Sequence, residues 1–397
     1  MSDPPAAAGI AAAGIHLAEV FEAYQSCRRH KRGTMNALAF ELDYERNLVA
    51  LWHDVNSGAY RPARSIAFIV DKPVKREIFA ADFRDRVVHH LIINKLNALF
   101  EREFIFDSYA CRVGKGTHMG IQRVDRFMRR CSHNYTRDCY ILKLDIEGFF
   151  MSIDRGILYR RLEAFVGEKY SAPDRELVLD LCRKVVFCDP ARNCTIKGRR
   201  GDWAGLPADK SLFHSRPGCG LPIGNLTSQV FANFYLSCFD HFMKHHLGLR
   251  YYGRYVDDVV VVHRDRAFLA ALIPVAADYL ERELGLTLHP RKIYLQHYAH
   301  GVQYLGVVIK PHRTYIANRT KGNFYLAVEQ HNRIAEHHRP TRAERVAFRG
   351  SMNSYLGLLA HYDTYRLRRR LMLEGLSPWW RKAARVDVTM RKVVLKA

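Results

Sequence analysis

Apolar positions recurring every three to four residues predict helices from about His16 to Arg29 and from Met35 to His53. Two short apolar runs, "SIAFIV" (Ser65 to Val70) and "KREIFAA" (Lys75 to Ala81), predict strands, and "DRVVHHLIINKLNALFEREF" then returns to helical spacing. In "CYILKLDIEGFF" alternation fails because both faces are covered, so this is a buried strand entering a turn. From Asp154 to Val186 the pattern is helical, and "CDPARNCTIKGRRGDWAGLPADKSLFHSRPGCG" is a long irregular stretch of the kind that is functional or inserted. "GNLTSQVFANFYLSCFDHFMKHH" predicts a helix capped by Asn225, Thr227 or Ser228. "LRYYGRYVDDVVVVHRD" predicts strand, tight turn and strand, with two aspartates at the bend. "AFLAALIPVAADYLERELG" is an amphipathic helix stopped by Gly285, "GVQYLGVVIK" is a strand, and the chain turns helical after Pro311. No internal repeat is visible.

Composition narrows the partners. The 397 residues are 48% hydrophobic, enough for a real core, and the length suits two or three subdomains. Lys and Arg outnumber Asp and Glu by 62 to 40, a net charge of +22, which points to a polyanion. Nucleic acid is favoured over a membrane, because no continuous apolar span or amphipathic anchor accompanies the charge. From His338 to Ala397 there are 14 Lys and Arg against 4 Asp and Glu. The opening "MSDPPAAAGIAAAGI" lacks a basic leader region and reads as a flexible tail, and nine scattered cysteines suit a reducing cytoplasm. Cys182, Cys188, Cys194 and Cys219, with His214 nearby, lack any C-x-x-C pair, so they read as free thiols rather than a zinc cluster.

The candidate chemistry lies in "RYVDDVVVV". Asp257 and Asp258 sit inside a valine run, and a third apolar-flanked acid, Asp145, occurs in "LKLDIEGFF". Carboxylates in apolar surroundings cost several kcal/mol unless neutralised, and like charges raise each other's pKa. If the two strands lie side by side, a divalent cation resolves the repulsion. Hard oxygen ligands suit Mg²⁺, which keeps places for substrate phosphates. A solvated hairpin turn is the competing reading of an Asp-Asp pair.

On these residues the chain resembles a reverse transcriptase. "YVDD" is similar to the Y-x-D-D turn of that family, and "LDIEGFFMSID" to its strand-to-helix motif with the other metal-binding Asp. "GLPIGNLTSQVFANFYL" resembles the substrate-pocket loop and helix, while "LGLTLHPRKIYL" and "GVQYLGVVI" resemble the motifs closing the palm. "REIFAADFRDRVVHHLI" and "FIFDSYACRVGKGTHMGI" resemble fingers motifs, so the likeness runs from about Ser65 to Val308. It implies an α+β right-hand polymerase fold, with fingers, a palm bearing an antiparallel sheet, and a helical thumb. The implied division is an N-terminal tail and helix (1–34), fingers (35–135 and 155–221, with an insertion at about 187–219), palm (136–154 and 222–312) and basic thumb (313–397).

The resemblance also implies roles. Two Mg²⁺ ions, replaceable by Mn²⁺, are held by Asp145, Asp257, Asp258 and the Ile146 carbonyl, and Lys292 protonates pyrophosphate. Phe150 falls at the steric gate that excludes a ribose 2′-OH, so dNTPs are favoured. Lys72, Lys75, Arg76 and Arg112 are candidates for the triphosphate, and Ile223, Gly224 and Gln229 line the nucleotide pocket. Lys115, Arg366, Arg368, Arg369 and Arg370 are candidates for template RNA and the primer or cDNA strand.

Ile223 stands where most relatives have Gln, and Ser228-Gln229 where they have Ser-Pro. With the insertion "CTIKGRRGDWAGLPADKSLF", these departures resemble the enzymes of diversity-generating retroelements. Those copy a template-repeat RNA with errors at adenine, for replacement of a variable repeat, and work with a basic, multimeric accessory protein. A phage-defence or retron-like reverse transcriptase, and a non-catalytic nucleic-acid binder, remain the alternatives. Ile223 offers only apolar contact, and a pocket with one fewer directional contact discriminates less, while a helix start reorganised by Gln229 is the other reading of the same departures. Ile223→Gln is therefore expected to lower misincorporation opposite template adenine by about tenfold, as read by sequencing of cDNA products.

Overall fold

Ser65–Val70 and Arg76–Ala80 form strands β1 and β2, which pair antiparallel with Ile66 opposite Ala80 and Val70 opposite Arg76. The computed structural model describes residues 14–29, 33–71 and 74–396. Tyr140–Leu144 forms β3, and Cys194–Ile196 forms β4, a short strand inside the irregular stretch that pairs parallel with β1. Tyr252–Tyr255 (β5) and Asp258–His263 (β6) make the antiparallel hairpin, and with Tyr294–His297 (β7) complete a sheet in the order β5-β6-β3-β7. Valines 259–262 of β6 are all buried, as a strand covered on both faces requires.

The chain forms two compact units. One comprises the described residues within 1–116, 142–261 and 267–294, and the other those within 117–141, 262–266 and 295–397. In the first, the Phe83–Glu103 helix starts at Asp82, whose carboxylate accepts from the Arg84 amide, and it buries Val87, Val88, Leu91, Ile92, Leu96 and Phe100. In the second, the Asn318–His337, Arg342–Leu359, Tyr365–Leu373 and Pro378–Ala383 helices enclose Phe324, Phe348, Met352, Leu356 and Trp380. The Phe348 and Trp380 rings stack at 3.9 Å, and a Thr341–Glu344 capping box starts the Arg342–Leu359 helix.

Several elements depart from the sequence pattern. The expected Met35–His53 helix is two helices, Met35–Glu41 and Tyr44–Asn56, and the Asn47 amide satisfies the Phe40 carbonyl at the break. "GVQYLGVVIK" is a hairpin, Val302–Tyr304 (β8) and Val307–Lys310 (β9), because Leu305 and Gly306 both adopt positive φ (49° and 88°) as a tight primed turn demands. Another strand, Arg313–Ile316 (β10), precedes the helices, and the chain closes with a hairpin of Ala384–Val386 and Val393–Leu395. Asn225 does not cap the following helix by side chain; its Oδ1 instead accepts from the Ala81 amide, joining the helix start to the end of β2. That helix runs Leu226–Tyr235, followed by Ser237–His241 and a π-turn at Phe242–His246. All nine cysteines are free, and among the described residues no helix is long and apolar enough to cross a membrane.

Arg254, on β5, is buried with its partner Asp240, both side chains 0% exposed. Its Nε and Nη2 donate to the two Asp240 oxygens at 2.7 and 2.5 Å, and its remaining hydrogens reach Asn233 and the Val256 carbonyl. The Tyr252 hydroxyl adds a 2.6 Å bond to Asp240. A buried charge stripped of its partner is strongly destabilising, because the survivor stays desolvated. Asp240→Ala is expected to cost about 3–5 kcal/mol, measured as a fall in unfolding free energy by chemical denaturation.

Candidate active site

The β5–β6 hairpin pairs Tyr255 with Asp258, leaving Val256 and Asp257 as a two-residue turn. Val256 lies at φ 54°, a region a β-branched residue enters only at a cost in strain. Arg254 Nη1 holds the Val256 carbonyl at 2.8 Å, so the residue before Asp257 is tied to the buried Arg254–Asp240 pair. Asp145 follows directly after β3, the neighbour of β6 in the sheet. Its backbone carbonyl accepts from the His289 amide at 2.8 Å, while the Glu147 amide donates to the Thr287 carbonyl at 2.9 Å. These bonds flank an isolated bridge between Ile146 and Leu288, so the Ile146 carbonyl takes no part in that bridge's own bonding.

The three acids share one electrostatic environment. Burial pushes the Asp257 carboxyl up to about 6, reinforced by repulsion from Asp258 and Asp145, with Lys292 pulling the other way. Lys292 Nζ lies 2.7 Å from Asp145 Oδ1. Burial works to lower the Lys292 pKa, but its bond to Asp145 and the charges of Asp145, Asp257 and Asp258 carry it above the ordinary lysine value. Lys143, on β3, sits 2.8 Å from Asp258 Oδ1. That oxygen is buried and lacks a hydrogen-bond partner, so the ammonium supplies charge there without a directed bond.

The expectation that three carboxylates cage the metal ions needs adjustment. Among the described residues no group of three His, Cys, Asp or Glu side chains stands arranged to hold one ion. Asp145 and Asp258 each pair with an ammonium group instead, Lys292 and Lys143 respectively. The donor set still fits a hard divalent cation. Its side chains are all oxygen ligands, one carboxylate oxygen is buried without a hydrogen bond, and Mg²⁺ requires only one or two carboxylates beside water and phosphate oxygens.

The pocket residues fall into two groups. Phe150, Ile223 and Trp203 are half-buried against a small core of Ala67, Phe79, Met151 and Leu212. Gly224 is exposed at φ 123°, and a β-carbon there would stand 2.9 Å from Ile78 Cγ2 and 3.3 Å from the Phe79 carbonyl oxygen. Gln229 is exposed and accepts a long contact from the Cys111 thiol. Arg76 is exposed, whereas Lys75 Nζ donates to the Ala204 carbonyl at 2.7 Å; Lys72 lies outside the described residues.

Among the other cations, Arg112 is not a free phosphate ligand. Its side chain is 5% exposed, paired with Glu101 and donating to the Ile105 and Ser108 carbonyls. Lys115 packs over Phe106 and donates to its carbonyl. Arg368 is likewise buried, donating to the Thr389 and Met390 carbonyls, so it secures the C-terminal hairpin rather than facing solvent. Arg366, Arg369 and Arg370 are exposed, Arg370 reaching the Tyr325 hydroxyl.

Sequence reasoning missed Lys143 and Arg254. Both carried a signal, since each is a cation inside an apolar strand within four residues of a catalytic-type aspartate, and a buried charge needs a partner.

A strained hairpin presenting two acids beside a third, with lysines opposite, is a site built for metal-assisted chemistry on a polyanion. Residues 72–309 match the family model "Reverse transcriptase (RNA-dependent DNA polymerase)". The chain belongs to that family, whose members are RNA-directed DNA polymerases, and its architecture is mixed α+β. No curated protein matches the sequence significantly. Among solved structures, the chain is similar to telomerase from Candida albicans in complex with a fragment of telomeric RNA (11% identity, TM-score 0.46, covering 76% of this chain and 54% of that one). It is also similar to apo telomerase from Candida tropicalis (11% identity, TM-score 0.47, covering 79% and 61%). The chain thus spans little more than half the length of these proteins.

Gly224 combines a conformation that side chains rarely adopt with no room for one. Gly224→Ala is expected to lower the unfolding free energy by about 1–3 kcal/mol, read as a reduced Tm.

Proposed function

We propose that this protein copies an RNA template into DNA, using Asp145, Asp257 and Asp258 as its metal-binding acids, and that it serves a diversity-generating retroelement. The observation that carries the polymerase reading is that Asp145 and Asp258, each against a lysine, both act electrostatically on Asp257 at the hairpin tip, inside the segment that matches the family. In this reading residues 35–135 and 155–221 act as fingers, 136–154 and 222–312 as palm, and 313–397 as thumb.

The 3′-OH of the growing strand attacks the α-phosphorus of a dNTP; a P–O bond forms to the new nucleotide, and the bond to pyrophosphate breaks. Mg²⁺ held by Asp145, Asp257, Asp258 and the Ile146 carbonyl would supply hydroxyl activation and neutralise phosphate charge. The chain supplies the rest. Arg254 and the strained Val256 fix where Asp257 stands. Lys143 and Lys292 hold the acids' charge in check until a cation or phosphate competes for it. Lys292, an ammonium at neutral pH like any ordinary lysine, can then give its proton to departing pyrophosphate. Arg76 and Lys75 grip the triphosphate, and Phe150 closes on the sugar where a 2′-OH would stand. The exposed Arg366, Arg369 and Arg370 track the backbone of the duplex.

The diversification role is read from Ile223, Gln229 and the insertion at about 187–219, which resemble features of the retroelement enzymes. A basic, multimeric accessory protein is the expected partner, with template RNA, primer or cDNA strand, and dNTPs as the other ligands. Primer extension on an RNA template with Mg²⁺ tests both levels. Wild-type protein is expected to extend with dNTPs and to misincorporate chiefly opposite adenine, and Asp257→Asn to lose about 10²–10³-fold or more in rate. Full extension by Asp257→Asn contradicts the polymerase reading. Errors spread evenly over the four template bases contradict the retroelement role alone and favour another bacterial reverse transcriptase.

A further inference from the structure

Glu77, on β2, is 1% exposed, yet the donors on its carboxylate are an indole, a hydroxyl and a backbone amide, none of them a cation. Trp203 Nε1 donates to Oε2 at 2.6 Å, Ser211 Oγ to the same oxygen at 2.8 Å, and the Leu212 amide to Oε1 at 2.5 Å. All three donors lie in the irregular insertion. A buried carboxylate costs several kcal/mol unless hydrogen bonds replace its water, so this acid serves to hold the insertion against β2.

What the insertion touches gives that anchoring a purpose. Glu77 and Phe79 are two apart on a strand and share one face, and Phe79 packs on Phe213 of the insertion with ring centroids 5.3 Å apart. The Phe79 amide donates to the Ile223 carbonyl at 2.9 Å, and the Leu221 amide to the Phe150 carbonyl at 2.8 Å. Trp203 and Leu212 belong to the same apolar cluster as Phe150 and Ile223. Gly148, two residues before Phe150, passes so close to Asp209 of the insertion that a β-carbon there would stand 2.7 Å from the Asp209 carbonyl oxygen. Insertion, β2, the 221–223 segment and the Phe150 backbone thus form one connected wall.

We infer that Glu77 is a positioning residue which, through Trp203 and Leu212 of the insertion, fixes Phe150 and Ile223 and so sets how strictly the pocket distinguishes a deoxyribonucleoside triphosphate from its ribose counterpart. Glu77 touches neither sugar nor base in this account; it acts through the wall behind them. The inference rests on the polymerase reading above, in which Phe150 faces the sugar.

Single-nucleotide extension tests it, with kcat and KM measured separately for a dNTP and the matching NTP. Glu77→Gln leaves one acceptor oxygen where two served three donors, and Trp203→Phe removes a single donor while keeping a ring in place. Both are expected to lower dNTP-over-NTP discrimination by about tenfold, chiefly through KM for the NTP. In a Phe150→Ala background, Glu77→Gln is expected to change the ratio no further. Should Glu77→Gln fail to fold, Trp203→Phe carries the test. Discrimination unchanged while kcat falls equally for both nucleotides reduces Glu77 to a scaffold and overturns the inference, as does full additivity with Phe150→Ala. A wild-type protein that extends no primer overturns the polymerase reading itself, and an active wild type with indifferent variants overturns only the role of Glu77.

Discussion

The buried Arg254–Asp240 pair is the constraint on which the site depends. A guanidinium and a carboxylate with no exposure must satisfy each other, and the two-pronged geometry leaves spare hydrogens on Arg254. One reaches the carbonyl of Val256, next to the acid at the hairpin tip. Others reach Asn233, and the backbone of Arg254 bonds to Asp107 and Tyr109 on a distant stretch of chain. A tight turn with a valine at positive φ is costly to hold. Here the cost is offset by a network that cannot relax without exposing a charge.

Strain at the tip has a counterpart in the electrostatics. Three carboxylates in a half-buried setting repel one another and need compensation. Lys143 and Lys292 supply that compensation from inside the chain, one on the strand beside Asp258 and one at the end of the 3₁₀ turn that begins at Pro290. In the proposed reaction, a cation would oppose the acids' charge and a triphosphate the lysines', so each would displace one internal partner. The folded protein thus holds Asp145 and Asp258 paired with its own lysines before any ligand arrives.

Much of this was legible in the pattern of the chain. The Asp-Asp hairpin, the buried strand ending at Asp145 and the Gly285 helix stop were all readable, because apolar periodicity and turn chemistry are local. The long-range pairings were not. Nothing local reveals that Cys194–Ile196 would join β1 in parallel, or that Glu77 would reach Trp203 and Ser211 across more than 120 positions. Arg112 and Arg368 were misjudged for the same reason: an arginine among apolar residues can be a phosphate ligand or a clamp on the protein's own carbonyls, and only tertiary contact decides. The Leu305-Gly306 turn escaped because leucine rarely enters positive φ, so an apolar run concealed a hairpin.

Crystals of the protein soaked in Mn²⁺ and a dNTP, with the metal located by anomalous scattering, test the central claim most directly. Metal density ligated by Asp145 and Asp257, with Lys143 and Lys292 withdrawn from the acids and the Arg254–Asp240 pair unmoved, is the result this account predicts. Acids still bound to their lysines, with manganese elsewhere or absent, would contradict it.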